Sequence, residues 1–256
     1  LHDAIKGSCN VFFYNTGMGA GVDELHKYAS LFRLGKLTGV GLLNEKAGLI
    51  PSSSWKKRVL NEPWYGGETP SMSIGQGFII VTPLQVINMI NILANDGIWI
   101  PPRLFFEDEG TAPQQIPLNK EYLSLIRKGM VAVVNEAGGT ARKVQFEEFT
   151  VAGKTATSQV ISHKTMETLD DEAKLKKEFQ NHAWFVAFGP AEDPEISVIA
   201  LVEHGGGGSR VAAPVVRKIL NYYIDNIYKP KSKKTVQTNF ESKNFKFRTR
   251  LQMAFN

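Results

Sequence analysis

The sequence predicts an α+β fold, a helical layer packed against an antiparallel sheet. Three observations carry this expectation. Two strong helical segments, the first apolar nearly all round, come before the strands, around residues 83–94 and 119–135. Three strand-like runs then follow one another: 149–159, Ala183 to Phe188 and Ile196 to Val202. A last helical segment, Ala213–Ile227, closes the order. Turn signals at Gly189-Pro190 and Asp193-Pro194 separate the second and third runs, which suggests an antiparallel hairpin.

Taken in order, residues 3–8 read as the end of a helix, and Val11-Phe-Phe-Tyr14 forms an aromatic patch. Gly17, Gly19 and Gly21 predict a loop, after which Asp23 is a good N-cap. The helix it would start carries Leu25, Tyr28, Leu31 and Phe32 at helical spacing, a core-facing stripe, and Gly35 ends it. From Gly35 to Glu68 the text is loop-like, with glycines, Pro51, Pro63 and the serines 52–54. Trp55 and Trp64 within it read as anchors. Ser73-Ile-Gly-Gln-Gly77 is a tight turn, and Thr82-Pro83 starts a helix with proline at its first position. That helix is apolar nearly all round, from Leu84 to Leu93, so it should be central and buried. The next helix turns Tyr122, Leu123, Ile126, Met130 and Val133 inward, and Gly138-Gly139 breaks it. Ser162 to Asn181 is polar; Asp170 would cap a short helix there, Glu172 and Lys176 would pair, and the segment could act as a flap beside the 149–159 strand.

Composition narrows the function. Of 256 residues, 43% are hydrophobic, enough for a real core. The net charge of +5 is concentrated at the end: residues 229–256 hold eight Lys or Arg and one acid, leaving the rest at −2. A near-neutral body argues against a nucleic-acid enzyme. Residues 1–228 are therefore read as the folded part and 229–256 as a basic tail, either a disordered extension or a segment that docks to an acidic surface, anionic lipid headgroups or a partner protein. A single cysteine, Cys9, excludes an internal disulfide or a multi-cysteine metal site. The five histidines show no metal spacing, so no metal and no cofactor are expected; His182 and His204 read as structural. The apolar run from Phe78 to Asn95 contains Pro83, Gln85, Asn88 and Asn91 and reads as a buried helix rather than a bilayer span. A chain opening on Leu1 is expected to be a fragment or processed product, with any membrane anchor upstream.

The stretch Val151-Ala-Gly-Lys-Thr-Ala-Thr-Ser-Gln159 concentrates chemistry. On a strand, Thr155 and Thr157 share one face and Ala156 lies on the other. Two hydroxyls beside Lys154 can receive a carboxylate. Gly153 admits a close neighbour, and the small Ala156 leaves the strand edge open to an extended peptide.

Two short strings now line up within longer signatures. Ser8-Cys-Asn10 resembles the Ser-x-Asn motif of penicillin-binding enzymes, and Lys154-Thr-Ala156 their Lys-Thr-Gly motif. Ser73-Ile-Gly-Gln-Gly77 with Thr82-Pro-Leu-Gln85, and Gly129 to Asn135 leading to Gly138-Gly-Thr140, are similar to the surrounding signatures. The resemblance runs from residue 1 to about 228. His182-Ala-Trp-Phe185 and Glu203-His-Gly-Gly206 are similar to the elongation-type class B group, the penicillin-binding protein 2 group. The family's Ser-x-x-Lys, which carries the nucleophile, lies upstream of Ser-x-Asn; the 256 residues are read as holding no such string, so the chain is expected to be the C-terminal part of the transpeptidase domain without that segment.

The resemblance implies a penicillin-binding or serine β-lactamase-like fold and acyl transfer at a D-Ala-D-Ala stem peptide of peptidoglycan. It implies β-lactam antibiotics as inhibitors, wall-elongation proteins as partners, and a catalytic domain outside the inner membrane. Ser8 would relay a proton, Asn10 hold the substrate amide, and Lys154 steady Ser8 and attract the substrate carboxylate. Thr155 and Thr157 would bind that carboxylate, and the Thr157 N–H would form half of an oxyanion hole. Ala156 replaces the usual glycine. That departure keeps a second class open, a catalytically impaired scaffold or β-lactam sensor. A serine β-lactamase is disfavoured by the long 35–68 segment and the closing helix.

Overall fold

The computed structural model describes residues 1–105, 112–147, 149–161, 163–168 and 176–228. The basic tail, Asp170 and Glu172, the expected partner of Lys176, lie outside the described residues, as does much of the expected flap, of which the helix His163–Thr168 and a 3-10 turn at Lys177–Phe179 are described.

Nine α-helices and five strands are found among the described residues. The helices α1 (His2–Lys6), α2 (Asn10–Ala20), α3 (Val22–Leu31), α4 (Ser53–Leu60), α5 (Thr69–Ser73) and α6 (Pro83–Ala94) come first. A two-residue pair, β1 (Ile98–Trp99) and β2 (Gln114–Gln115), leads to α7 (Lys120–Asn135). Then follow β3 (Ala152–Ser158), α8 (His163–Thr168), β4 (His182–Gly189), β5 (Ile196–Val202) and α9 (Ala213–Asn226). The main sheet has the order β3-β4-β5, antiparallel throughout, so β3 is an edge strand.

The main core lies between this sheet and α6, α7 and α9, with Phe149, Phe185, Phe188, Ile92, Val133, Val216 and Leu220 all nearly or fully buried. The α+β layout and the central place of α6 are as the sequence predicts. Thr82 caps α6 by accepting from the Gln85 N–H, and the Gln85 side chain accepts from the Thr82 N–H.

Several local expectations are corrected. Gly17 and Gly19 lie inside α2, not in a loop. Gly17 is buried against α5, where a Cβ would meet Ser73 Oγ at 1.7 Å; this glycine serves helix packing, which outweighs its poor helix propensity. Asp23 is not an N-cap. It lies in the first turn of α3 and accepts from the Ser53 N–H at 2.9 Å and the Ser53 hydroxyl at 2.7 Å. Tyr28 is exposed, although Leu25 packs inward, and Tyr122 is exposed while Leu123 and Met130 are buried. The 35–68 segment is not loop throughout: Ser52 caps α4 by accepting from the Trp55 N–H at 3.0 Å. The sheet strand starts at Ala152 rather than Phe149. Phe149 is instead a core residue, its ring so close to Gly189 that a Cβ there would meet it at 2.3 Å.

Candidate active site

Ser8 sits at the joint between α1 and α2, and packing on both sides fixes that joint. On one side Ile5 of α1 presses on α7, where Gly129 leaves the room: a Cβ on Gly129 would meet Ile5 at 2.8 Å. Lys6 and His2 add contacts to Glu136 at 3.3 and 3.1 Å. On the other side α2 is seated on α5 through Gly17. The chain turns between the helices with Ser8 in the left-handed region, φ 53°, and its N–H bonded to the Ile5 carbonyl at 3.2 Å. Cys9 is exposed and takes the N-cap position of α2, and Asn10 follows exposed at the first residue of that helix.

β3 comes alongside this joint. Lys154 Nζ donates to Ser8 Oγ, closing a contact between residues 146 apart in sequence. The same ammonium donates to the Thr155 carbonyl at 3.0 Å. Lys154 is half-buried, and desolvation lowers its pKa to about 8. At neutral pH it is a cation aimed at a hydroxyl, close to the pH at which it would give up its proton.

Thr155 does not point free. Its hydroxyl meets the Thr140 hydroxyl at 2.9 Å, and Thr140 in turn donates its N–H to the Lys6 carbonyl at 3.3 Å. Thr140 is thus a link between β3 and α1 that sequence reasoning leaves without a role, although Gly138-Gly-Thr140 stands out as a motif. Thr157 is exposed. Its carbonyl accepts from Gln76 Nε2 at 3.0 Å, and Gln76 Oε1 accepts from the Gln159 N–H at 3.4 Å. Gln76 is the second residue missed; the signal was a polar side chain between two glycines of the 73–77 turn. Ala156 is also exposed. Gly153 admits the ring of Phe185 (a Cβ would stand 2.8 Å from it), so its close neighbour is core rather than ligand.

The geometry thus brings Ser8, Lys154 and Thr155 together at one edge of the sheet, on the strand that also carries Ala156 and Thr157, while Asn10 stands exposed two residues after Ser8 at the start of α2. Alternation along an antiparallel pair sends the backbone groups of successive residues to opposite sides. With Lys154, Ala156 and Ser158 opposite Val186, Trp184 and His182, the carbonyls of Thr155 and Thr157 face away from β4, as their bonds to Lys154 and Gln76 require. This is an edge that can receive an extended chain, next to a hydroxyl held by a partly desolvated amine.

Ser-x-x-Lys spacing does occur later in the chain, at Ser53-Ser-Trp-Lys56 and Ser54-Trp-Lys-Lys57, a pattern the sequence reading passes over. Both strings lie on α4. Lys56 is only 1% exposed and is bound to Glu68 and Glu62, over the rings of Tyr65, Trp64 and Phe78. Ser53 is engaged by Asp23. Their partners make both residues part of the scaffold. His182 and His204 are structural as expected: His182 Nδ1 accepts from the His204 N–H at 2.9 Å, and the rings stand edge to face at 4.7 Å. Among the described residues no cluster of metal-ligating side chains is found, and no helix is long and apolar enough to cross a membrane.

The model of the penicillin-binding protein transpeptidase domain matches residues 1–221, and the chain belongs to that family. Within the family its likeness is to the elongation-type, penicillin-binding protein 2 group. It is 38% identical over 236 residues to the peptidoglycan D,D-transpeptidase MrdA of Haemophilus influenzae, covering 88% of this chain and 36% of the relative. The MrdA of Escherichia coli K12 is 32% identical over 232 residues, covering 86% and 36%. Among solved structures, the Helicobacter pylori PBP2–MreC complex is 33% identical with a TM-score of 0.77, covering 88% of this chain and 40% of the matched one. Pseudomonas aeruginosa PBP2 in complex with WCK 5153 is 33% identical with a TM-score of 0.75, covering 90% and 49%. The chain therefore spans between about a third and a half of the length of these relatives. The transpeptidase fold expected from the sequence is the fold these matches share.

Proposed function

We propose that this chain supplies the substrate-binding half of a peptidoglycan D,D-transpeptidase that works by an acyl-serine mechanism in wall elongation. The observation that carries the reading is the Lys154–Ser8 contact at the open edge of β3. A serine from a segment outside these 256 residues, with its own lysine as base, would attack the penultimate D-Ala carbonyl of a stem peptide and expel the terminal D-Ala. The amine of a neighbouring stem would then resolve the acyl-enzyme and form the crosslink. Ser8 relays the proton to the leaving amine, and the ammonium of Lys154 keeps that hydroxyl oriented. Asn10, which can donate and accept, holds the substrate amide. The carboxylate of the terminal D-Ala is drawn to Lys154 and to the hydroxyls of Thr155 and Thr157. The Thr157 N–H, on the open edge, is one donor to the oxyanion, a contribution of about 3–4 kcal/mol. β-Lactams would acylate the same serine. Wall-elongation partners and a place on the outer side of the inner membrane follow from the same reading; the relatives' names and the PBP2–MreC complex support them. The scaffold or sensor alternative rests on Ala156. It has less support, because Ala156 is exposed and the Lys154–Ser8 contact is made with alanine in place.

The test is acylation of the full-length protein by a fluorescent penicillin, read on a denaturing gel. Lys154→Ala is expected to slow acylation by about a hundredfold, the scale for losing one preorganised electrostatic group, with the far-UV spectrum unchanged; wild-type rates in the variant would remove Lys154 from the site. Because burial brings the pKa of Lys154 down to about 8, the ammonium is lost as the pH rises through that value. The acylation rate should fall on that alkaline limb, and Lys154→Arg, which stays charged, should move the limb to higher pH.

A further inference from the structure

An exposed strand edge next to a catalytic hydroxyl needs something on it when no substrate is bound, and here that something is a side chain. Gln76 meets β3 with both ends of its amide: Nε2 donates to the Thr157 carbonyl and Oε1 accepts from the Gln159 N–H. A carbonyl at one residue and an N–H two residues on, both directed outward, are the pair that the N–H and C=O of a single residue in an added parallel strand would engage. The primary amide, with N–H and C=O on the same side, therefore takes both bonds that one residue of an added strand would make.

The support beneath Gln76 is firm while the side chain is free to leave. Its N–H donates to the Ser71 carbonyl at 2.9 Å and the Gly75 N–H to the Met72 carbonyl at 3.0 Å, so α5 anchors the turn. Gly75 and Gly77 flank it at φ 79° and 72°, and a Cβ on Gly75 would have nothing within 4 Å. Thr157 is exposed and Gln76 half-buried, so the two hydrogen bonds are wet and cheap to exchange.

We propose that Gln76 guards the β3 edge: its amide holds the place of a peptide amide at Thr157 and gives it up when an extended acyl-donor peptide, or a β-lactam bearing an acylamino side chain, takes the Thr157 carbonyl. The proposal rests on the transpeptidase reading of this edge. It makes Gln76 a specificity-determining residue. Ligands that bring an amide N–H to β3 must displace it, and ligands without one need not.

The test uses the full-length protein with Gln76→Ala and Gln76→Met, the latter keeping the reach of the side chain without its amide. Second-order acylation rate constants are measured for a penicillin that carries an acylamino group and for a carbapenem that lacks one. Removing the guard should raise the ratio of the two constants by about fivefold in both variants, the factor that one neutral hydrogen bond is worth. A ratio that stays the same or falls would mean that Gln76 braces β3, overturning the guard while the transpeptidase reading stands. Wild-type protein that takes up neither drug would overturn the transpeptidase reading, and the guard with it.

Discussion

The sheet half of the molecule and the helical half before α6 are built on opposite plans. Around β3, β4 and β5 the interior is hydrocarbon: Phe149, Phe185, Phe188, Val133, Val216 and Leu220 are sealed from water. In the first 81 residues the apolar cluster is small, Val22, Ile50 and Met72 with part-buried neighbours. The order there comes from polar groups turned inward. Gln85, 1% exposed, reaches back from α6 to hold the carbonyls of Lys36 and Ala47, both at 2.7 Å. Lys56 is bound to Glu68 and Glu62, Glu45 accepts from the N–H groups of Thr38 and Gly39, and Asp23 pins Ser53. Apolar burial tolerates exchange among groups of similar size, whereas directed polar contacts fail one at a time when a partner is lost. The two halves should therefore differ in how damage spreads.

The largest effect is expected in the sheet half. Phe185→Ala empties a fully buried site against Gly153 and should cost about 3–5 kcal/mol. Chemical denaturation should show one lowered transition for both halves; two separated transitions would mean that the halves fold independently. Next, Gln85→Leu keeps bulk but strands the Lys36 and Ala47 carbonyls, at about 2–3 kcal/mol. Amide exchange should accelerate at residues 36–49 well before β4, which would sharpen the contrast; equal acceleration everywhere would break it.

Lys56→Met comes third and should lower the melting temperature modestly. For wild-type Lys56, burial works against its charge, but the bonds to Glu68 and Glu62 outweigh that and hold its pKa above the usual lysine value. For Glu68 burial acts to raise the pKa, but the hydrogen bond from Lys56 prevails and the net direction is down. A carboxylate with a depressed folded-state pKa stabilises above its unfolded value, and this is lost as the pH falls through the folded one. Wild type should lose its advantage over Lys56→Met on acidification through the carboxylate range, and a difference that does not change with pH would count against the pair. The smallest effect is Asp23→Ala, under about 1 kcal/mol because the group is exposed. It should be measurable as faster exchange at the Ser53 amide.

The same contrast decides what the sequence disclosed. Periodic apolar segments gave away α6, α7, β4, β5 and α9, because burial against a common core leaves a repeating signature. The helix α4 and the interior of α2 stayed hidden, since Ser53, Lys56 and Gly17 are polar or small for reasons of partners far along the chain. At the candidate site, Ser8, Asn10 and Lys154 stand out in the sequence as short strings inside longer matching text. Thr140 and Gln76 were not assigned roles, because nothing local tells that a threonine after α7 meets Thr155, or that a turn glutamine lies on β3. Lys56 shows the converse, a pattern that matches by spacing alone and is used for scaffolding.

One feature of the joint between α1 and α2 limits which residues can serve there. Ser8 carries its hydroxyl on a backbone with φ 53°. Chemistry alone would accept threonine, which brings the same oxygen. A β-branched side chain is poorly tolerated in that conformation, however, and glycine, asparagine and aspartate, which suit it, have no hydroxyl to offer. Two demands of unrelated origin, a hydroxyl that accepts from Lys154 and a left-handed turn, thus intersect on a single amino acid, and the accessible mutational neighbourhood of this position shrinks to almost nothing. A Ser8→Thr change, mild by any substitution table, would then move the helix joint itself.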